Sequence, residues 1–117
     1  MENPSIMSHV SLGTNDYAKA KAFYTAVLAT IGAGIVMEHN DAAAFGKKFP
    51  EFWVQAPFDG KPAATANGVH FGFWANSKQE VHAFYDAALK HGATGDGEPG
   101  PREEYGEPYY GCFLRDL

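Results

Sequence analysis

The chain has 117 residues, the size of one domain, and 45% hydrophobic with 15% aromatic residues supply a packed interior rather than a disordered chain. A formal net charge of −5 with scattered basic residues excludes a nucleic-acid partner, which needs clustered Lys and Arg. No apolar run reaches the roughly 18 residues of a membrane-spanning helix, Met1-Glu2-Asn3-Pro4 lacks the parts of a signal peptide, and Cys112 is a single cysteine, so a soluble cytoplasmic protein without membrane partners is expected.

The first predicted element is a strand in which Ile6, Val10 and Leu12 share one face and Met7, His9, Ser11 and Gly13 the other. Tyr17, Ala20, Tyr24, Val27, Leu28 and Ile31 follow with helical spacing, opened by Asn15-Asp16 and closed by Gly32. Ile35–Glu38 and Ala42–Phe45 read as a hairpin about Asn40-Asp41, and Phe52–Ala56 as a further strand. Pro57 to Asn67, rich in Gly, Pro and Asp, reads as a linker.

A second strand then places Val69, Phe71 and Phe73 on one face and His70, Gly72 and Trp74 on the other. Ser77-Lys78-Gln79-Glu80 is a capping box for a helix carrying Val81, Phe84, Tyr85, Ala88 and Leu89, which Gly92 ends. Gly95–Pro108 reads as a long loop, a candidate lid containing Glu98, Glu103, Glu104 and Glu107, and Tyr109–Leu114 as the last strand.

A shift of 61 residues carries His9 onto His70, Asn15 onto Asn76, Ala22-Phe23-Tyr24 onto Ala83-Phe84-Tyr85 and Leu28 onto Leu89. The chain is therefore an internal repeat, with modules of about 5–57 and 68–117 and a linker of about 57–67. The halves read as βαβββ and βαββ, the second one strand short, giving an α+β fold. If each apolar strand face packs on its own helix, His9 and His70 line a shared cleft on the other face.

The order of Ser8-His9-Val10-Ser11-Leu12-Gly13-Thr14-Asn15-Asp16, Ala22-Phe23-Tyr24, Gly68-Val69-His70-Phe71-Gly72-Phe73 and Tyr110-Gly111-Cys112-Phe113-Leu114-Arg115-Asp116 resembles the vicinal oxygen chelate superfamily. Its members include glyoxalase I, bleomycin-resistance proteins, fosfomycin-resistance enzymes and extradiol dioxygenases. The resemblance covers essentially the whole chain. It implies paired βαβββ modules forming a cleft-bearing open barrel, and a homodimer. It implies metal ligands at His9 and His70, with a third, a Glu, on a last strand expected beyond Leu117. A further carboxylate from the first half is expected in some members. Glu51, Trp53 and Gln55 share the cleft face there, with Trp53 or Gln55 nearest the ligand position.

Two imidazoles and a carboxylate form a facial triad with open positions, suited to Zn, Ni, Mn or Fe(II). Such a metal holds two neighbouring oxygens of a substrate and acts as a Lewis acid. The first expectation is a metal-dependent enzyme of the glyoxalase or dioxygenase type, a lyase or a dioxygenase. Its small oxygen-rich substrate would be a 2-oxoaldehyde–thiol adduct, an epoxide or a catechol. The alternative is a metal-free protein sequestering a drug or metabolite, with Trp53, Trp74 and Tyr110 as platforms and Gln55 as a polar contact. No catalytic base is identifiable. His39, His82 and His91 read as structural, and Cys112 as a small buried hydrophobe.

Overall fold

Asn40 and Asp41 both take positive φ, 45° and 60°, the backbone of a two-residue hairpin turn that these side chains tolerate. They join β2 (Gly34–His39) to β3 (Ala42–Gly46) as antiparallel neighbours, as the sequence predicts. The computed structural model describes residues 4–102, 104 and 109–117; Glu103, Glu107 and Pro108 of the expected lid lie outside them. β4 (Phe52–Gln55) pairs antiparallel with β3 and parallel with β1 (Val10–Gly13), so the first sheet runs β1-β4-β3-β2. β1 begins at Val10, later than the sequence suggests. Its ladder starts where the Val10 N–H meets the Glu51 carbonyl at 2.9 Å, and β4 reaches no further back.

Helix α1 (Tyr17–Ala29) starts where the Asp16 carboxylate accepts the Lys19 N–H at 3.1 Å, and Gly32 turns away at φ +81°. Its Ala20, Phe23, Tyr24, Val27 and Leu28 are buried against Phe45, Phe52 and Val54 of the sheet. Helix α2 (Lys78–Lys90) has the predicted reciprocal cap. Ser77 accepts the Glu80 N–H at 3.1 Å, and the Glu80 carboxylate accepts the Asn76 N–H at 2.8 Å.

Two expectations for the second half are corrected. Residues 95–101, read as the start of a loop, belong to β5 (Thr94–Pro101), antiparallel to β6 (Tyr110–Arg115). The Gly- and Pro-rich composition hid a strand whose pairing tolerates it through register shifts at Gly97, where φ is +151°. Conversely, residues 69–75, read as a strand, pair with nothing among the described residues. In the first half β4 lies between β1 and β3. The second half has no counterpart of β4 among the described residues, so both the 69–75 segment and one side of β6 lack a ladder partner. The apolar alternation is nonetheless kept, because side-chain packing holds it. Phe71 and Phe73 meet the Phe52 ring at 5.9 and 5.1 Å, and Phe73 also meets Phe84 at 6.0 Å.

These rings join the halves into one core, helped by the Tyr24 hydroxyl donating to Asp116 at 2.5 Å. Burial, and then the Asp116 carboxylate, hold that phenol well above the usual tyrosine range. Among the described residues no helix is long and apolar enough to cross a membrane.

Candidate functional site

Strand alternation sorts the first sheet into two faces. Val10, Leu12, Phe52 and Val54 pack toward α1, so Ser11, Gly13, Trp53 and Gln55 point the other way. On that face Ser11 stands opposite Trp53 and Gly13 opposite Gln55. The Gln55 amide donates to the Ser11 hydroxyl at 3.2 Å. Trp53 and Gln55 are half-buried, which leaves an aromatic and an amide partly open to a ligand.

His9 lies one residue before β1, exposed, with its Nδ1 2.9 Å from the Ser8 hydroxyl. The next residue, Val10, donates its N–H to the Glu51 carbonyl at 2.9 Å, where the two parallel strands begin. His70 is exposed in the unpaired segment, its ring 5.7 Å from that of Phe113 on β6. The two imidazoles are not hydrogen-bonded to one another. Among the described residues no three His, Cys, Asp or Glu side chains come together as a set able to hold a metal ion. The described donors therefore do not fit a three-ligand centre.

The remaining expected residues divide. Trp74 is 90% exposed. Tyr110 sits on the helix side of β6, its hydroxyl 2.7 Å from His82 Nε2 and its ring 5.1 Å from the Lys78 ammonium. Cys112 shares that side, its sulfur directed at the Val81 carbonyl, and burial pushes its thiol up against a smaller opposing pull from Arg102. The residue that sequence reasoning missed is Phe113. With Cys112 and Tyr110 turned to α2, alternation sends Phe113 to the face of His70, where Arg102 also stacks on it at 5.3 Å. The alternation was readable, but which parity faced the helix was not, because Tyr110 and Phe113 are both aromatic.

Two hollows mark the surface. One of about 660 Å³ lies between α2 and Tyr110, lined by Lys78, His82 and Asp86, away from both histidine faces. The other, about 250 Å³, lies past the ends of β1 and β4, between Thr14, Asn15, Ala56 and the loop Pro57–Pro62.

A family model described as the Glyoxalase/Bleomycin resistance protein/Dioxygenase superfamily matches residues 6–110. A glyoxalase/bleomycin resistance protein from Albidiferax ferrireducens T118 is similar in structure, with 34% identity, a TM-score of 0.88, and 96% of this chain and 91% of that one covered. A hypothetical protein from S. aureus shares the fold at 16% identity and a TM-score of 0.69, over 100% of this chain and 88% of that one. No curated protein matches the sequence.

Proposed function

The chain belongs to the Glyoxalase/Bleomycin resistance protein/Dioxygenase superfamily, and from that premise we propose that it binds a small oxygen-rich molecule on the helix-free face of its sheets. The observation that carries this reading is the division of the first sheet. One face is closed by buried Phe45, Phe52 and Val54, while the other offers Ser11, Trp53 and Gln55. A half-buried aromatic beside a few fixed polar groups suits a small polar ligand. In the second half His70 and Phe113 share a face, their rings 5.7 Å apart. Binding rests on burial and hydrogen bonding, the mode of a sequestering protein.

A second reading, a metal-dependent lyase or dioxygenase, is favoured by one observation. His9 and His70 occupy matching positions of the repeat as exposed imidazoles, and the residue after His9 donates its backbone N–H to the Glu51 carbonyl. Divalent metals are common in the superfamily, and imidazole suits Zn, Ni, Mn or Fe. Elemental analysis after loading with each metal, without an affinity-tag metal, separates the two. The sequestering reading expects no stoichiometric metal. About one metal per chain, lost in both His9→Ala and His70→Ala, overturns it in favour of the second.

A homodimer fits either reading. The edge strand β2 leaves Ile35, Val36 and Met37 exposed together, an apolar surface suited to a second copy. Sedimentation at micromolar concentration tests this, and a monomer that persists refutes it.

A further inference from the structure

We propose that Asn67 is a site of spontaneous deamidation, and that its conversion to isoaspartate moves His70 while leaving His9 in place. The inference goes beyond the binding reading above and stands independently of it.

The reaction needs an asparagine side chain and the backbone nitrogen of the next residue free to meet. That nitrogen attacks the side-chain Cγ, a new C–N bond closes a succinimide ring, and ammonia leaves. Water then opens the ring at either carbonyl, giving aspartate or isoaspartate, so the net change is one water taken up and one ammonia lost. A glycine after the asparagine leaves the attacking nitrogen unhindered, because it carries no Cβ. Asn67-Gly68 is the one such pair in the chain. Asn15, Asn40 and Asn76 are each followed by a residue whose side chain crowds that nitrogen.

The local structure leaves this pair open. Asn67 and Gly68 are exposed in a turn closed by the Val69 N–H, which donates to the Ala66 carbonyl at 3.1 Å, with Gly68 at φ +94°. Among the described residues neither the Asn67 amide nor the Gly68 N–H has a hydrogen-bond partner, and a Cβ built on Gly68 would meet nothing within 4 Å. The Asp59-Gly60 turn is built differently. Its Gly60 N–H donates to the Pro57 carbonyl at 3.1 Å, and its carboxylate accepts the Lys61 N–H at 3.0 Å. Asn15 is held as well: its amide donates to the Ala63 carbonyl at 3.0 Å, and its carbonyl oxygen accepts the Ala63 N–H at 2.6 Å.

Isoaspartate routes the main chain through the former side-chain carbon and lengthens the backbone inside the turn. A ladder would hold the residues that follow, but residues 69–75 have none among the described residues. The first fixed point past the turn is Phe71, whose ring packs on Phe52 at 5.9 Å. His70 lies between the turn and that anchor, exposed, with its ring 5.7 Å from that of Phe113. It therefore takes up the added length. His9 adjoins Val10, whose N–H is bonded to the Glu51 carbonyl at 2.9 Å in the other half of the repeat.

The test ages the purified full chain in mildly alkaline buffer beside a synthetic peptide of residues 64–72, and follows each asparagine by peptide mass spectrometry. Asn67 is expected to convert first, at a rate close to the peptide's and with isoaspartate in excess of aspartate, and Asn67→Gln is expected to stay unchanged at that position. A rate more than about tenfold below the peptide's, which is a turn protected by about 1.4 kcal/mol, overturns the inference, as does earlier conversion of Asn15, Asn40 or Asn76. The isoaspartate form, separated by ion-exchange chromatography, is then compared with the wild type by NMR. The His70 imidazole resonances are expected to move and those of His9 to stay. Asn67→Asp brings the charge without the longer backbone and is expected to keep both. Unmoved His70 resonances in the isoaspartate form, or an equal shift in Asn67→Asp, overturn the account of His70.

Discussion

Leu28 and Leu89 occupy the twelfth position of two thirteen-residue helices related by the repeat, yet Leu28 is 1% exposed and Leu89 41%. Replacing each by Ala removes the same atoms and changes helix propensity equally, so the difference in cost isolates packing. At Leu28 the side chain is enclosed by the core, and truncation leaves a cavity among ordered neighbours, costing about 2–5 kcal/mol. At Leu89 nearly half of the transfer gain was never made and no closed cavity forms, so the cost is about 1 kcal/mol. Urea unfolding followed by far-ultraviolet circular dichroism measures both. For a chain of this length roughly 4 °C of Tm accompanies each kcal/mol. The first variant is therefore expected to melt about 10 °C or more below the wild type, and the second only a few degrees. Comparable costs would refute the reasoning, since they would mean that the α2 face is covered in solution by something beyond the described residues.

Two other outcomes follow from local geometry. Gly46→Ala places a Cβ 1.9 Å from the Phe49 carbonyl oxygen, a backbone atom that cannot swing aside. It is expected to destabilise by about 3 kcal/mol in the same urea assay and to disturb the Glu51 N–H to Phe45 carbonyl bond of 3.1 Å that starts β4. Glu38 accepts from the Lys21 ammonium and the Tyr17 hydroxyl, each at 2.6 Å, and Lys21 first, then Tyr17, hold its carboxyl below the ordinary range. A depressed carboxyl stabilises the fold above its unfolded pKa and loses that contribution as pH falls through its folded one. The Tm difference between wild type and Glu38→Gln is accordingly expected to be present at neutral pH and to vanish in acid; a difference that grows on acidification would reverse the sign.

What was legible in the sequence is what short-range chemistry decides. Asn40-Asp41, Asp16, Ser77-Lys78-Gln79-Glu80 and Gly32 each act within a few residues, and each turn, cap or stop appears where those side chains put it. The strands were readable only where alternation survived. β4 shows it as buried Phe52 and Val54 against half-buried Trp53 and Gln55. β5 does not, because Thr94–Pro101 owes its conformation to the pairing with β6 and carries almost no apolar signal of its own. The 69–75 segment is the converse case. It alternates through Val69, Phe71 and Phe73 and has, among the described residues, no ladder, since a sequence pattern does not record whether a neighbouring strand supplies hydrogen bonds.

The same distinction governs the site. Parity identified the face of His9 and His70, and the side-chain contacts of Phe71, Phe73 and Phe113 agree with it. Parity fixes direction, but a binding set also requires register, and register is settled between strands rather than along one. In the first half the hairpin turn and the parallel β1–β4 ladder settle it, which is why Ser11, Trp53 and Gln55 meet. In the second half no described strand stands between the His70 segment and β6, so a ring contact across to Phe113 takes the place of a ladder. His9 is therefore placed next to a strand ladder, and His70 by a local turn bond from the Val69 N–H to the Ala66 carbonyl and by side-chain packing. A perturbation that loosens aromatic packing without touching the first sheet, Phe113→Ala for instance, should displace His70 while leaving His9 and the Ser11–Gln55 bond in place. Among the described residues, the asymmetry between two residues that the repeat makes look equivalent comes from the ladder that β1 has and the 69–75 segment lacks.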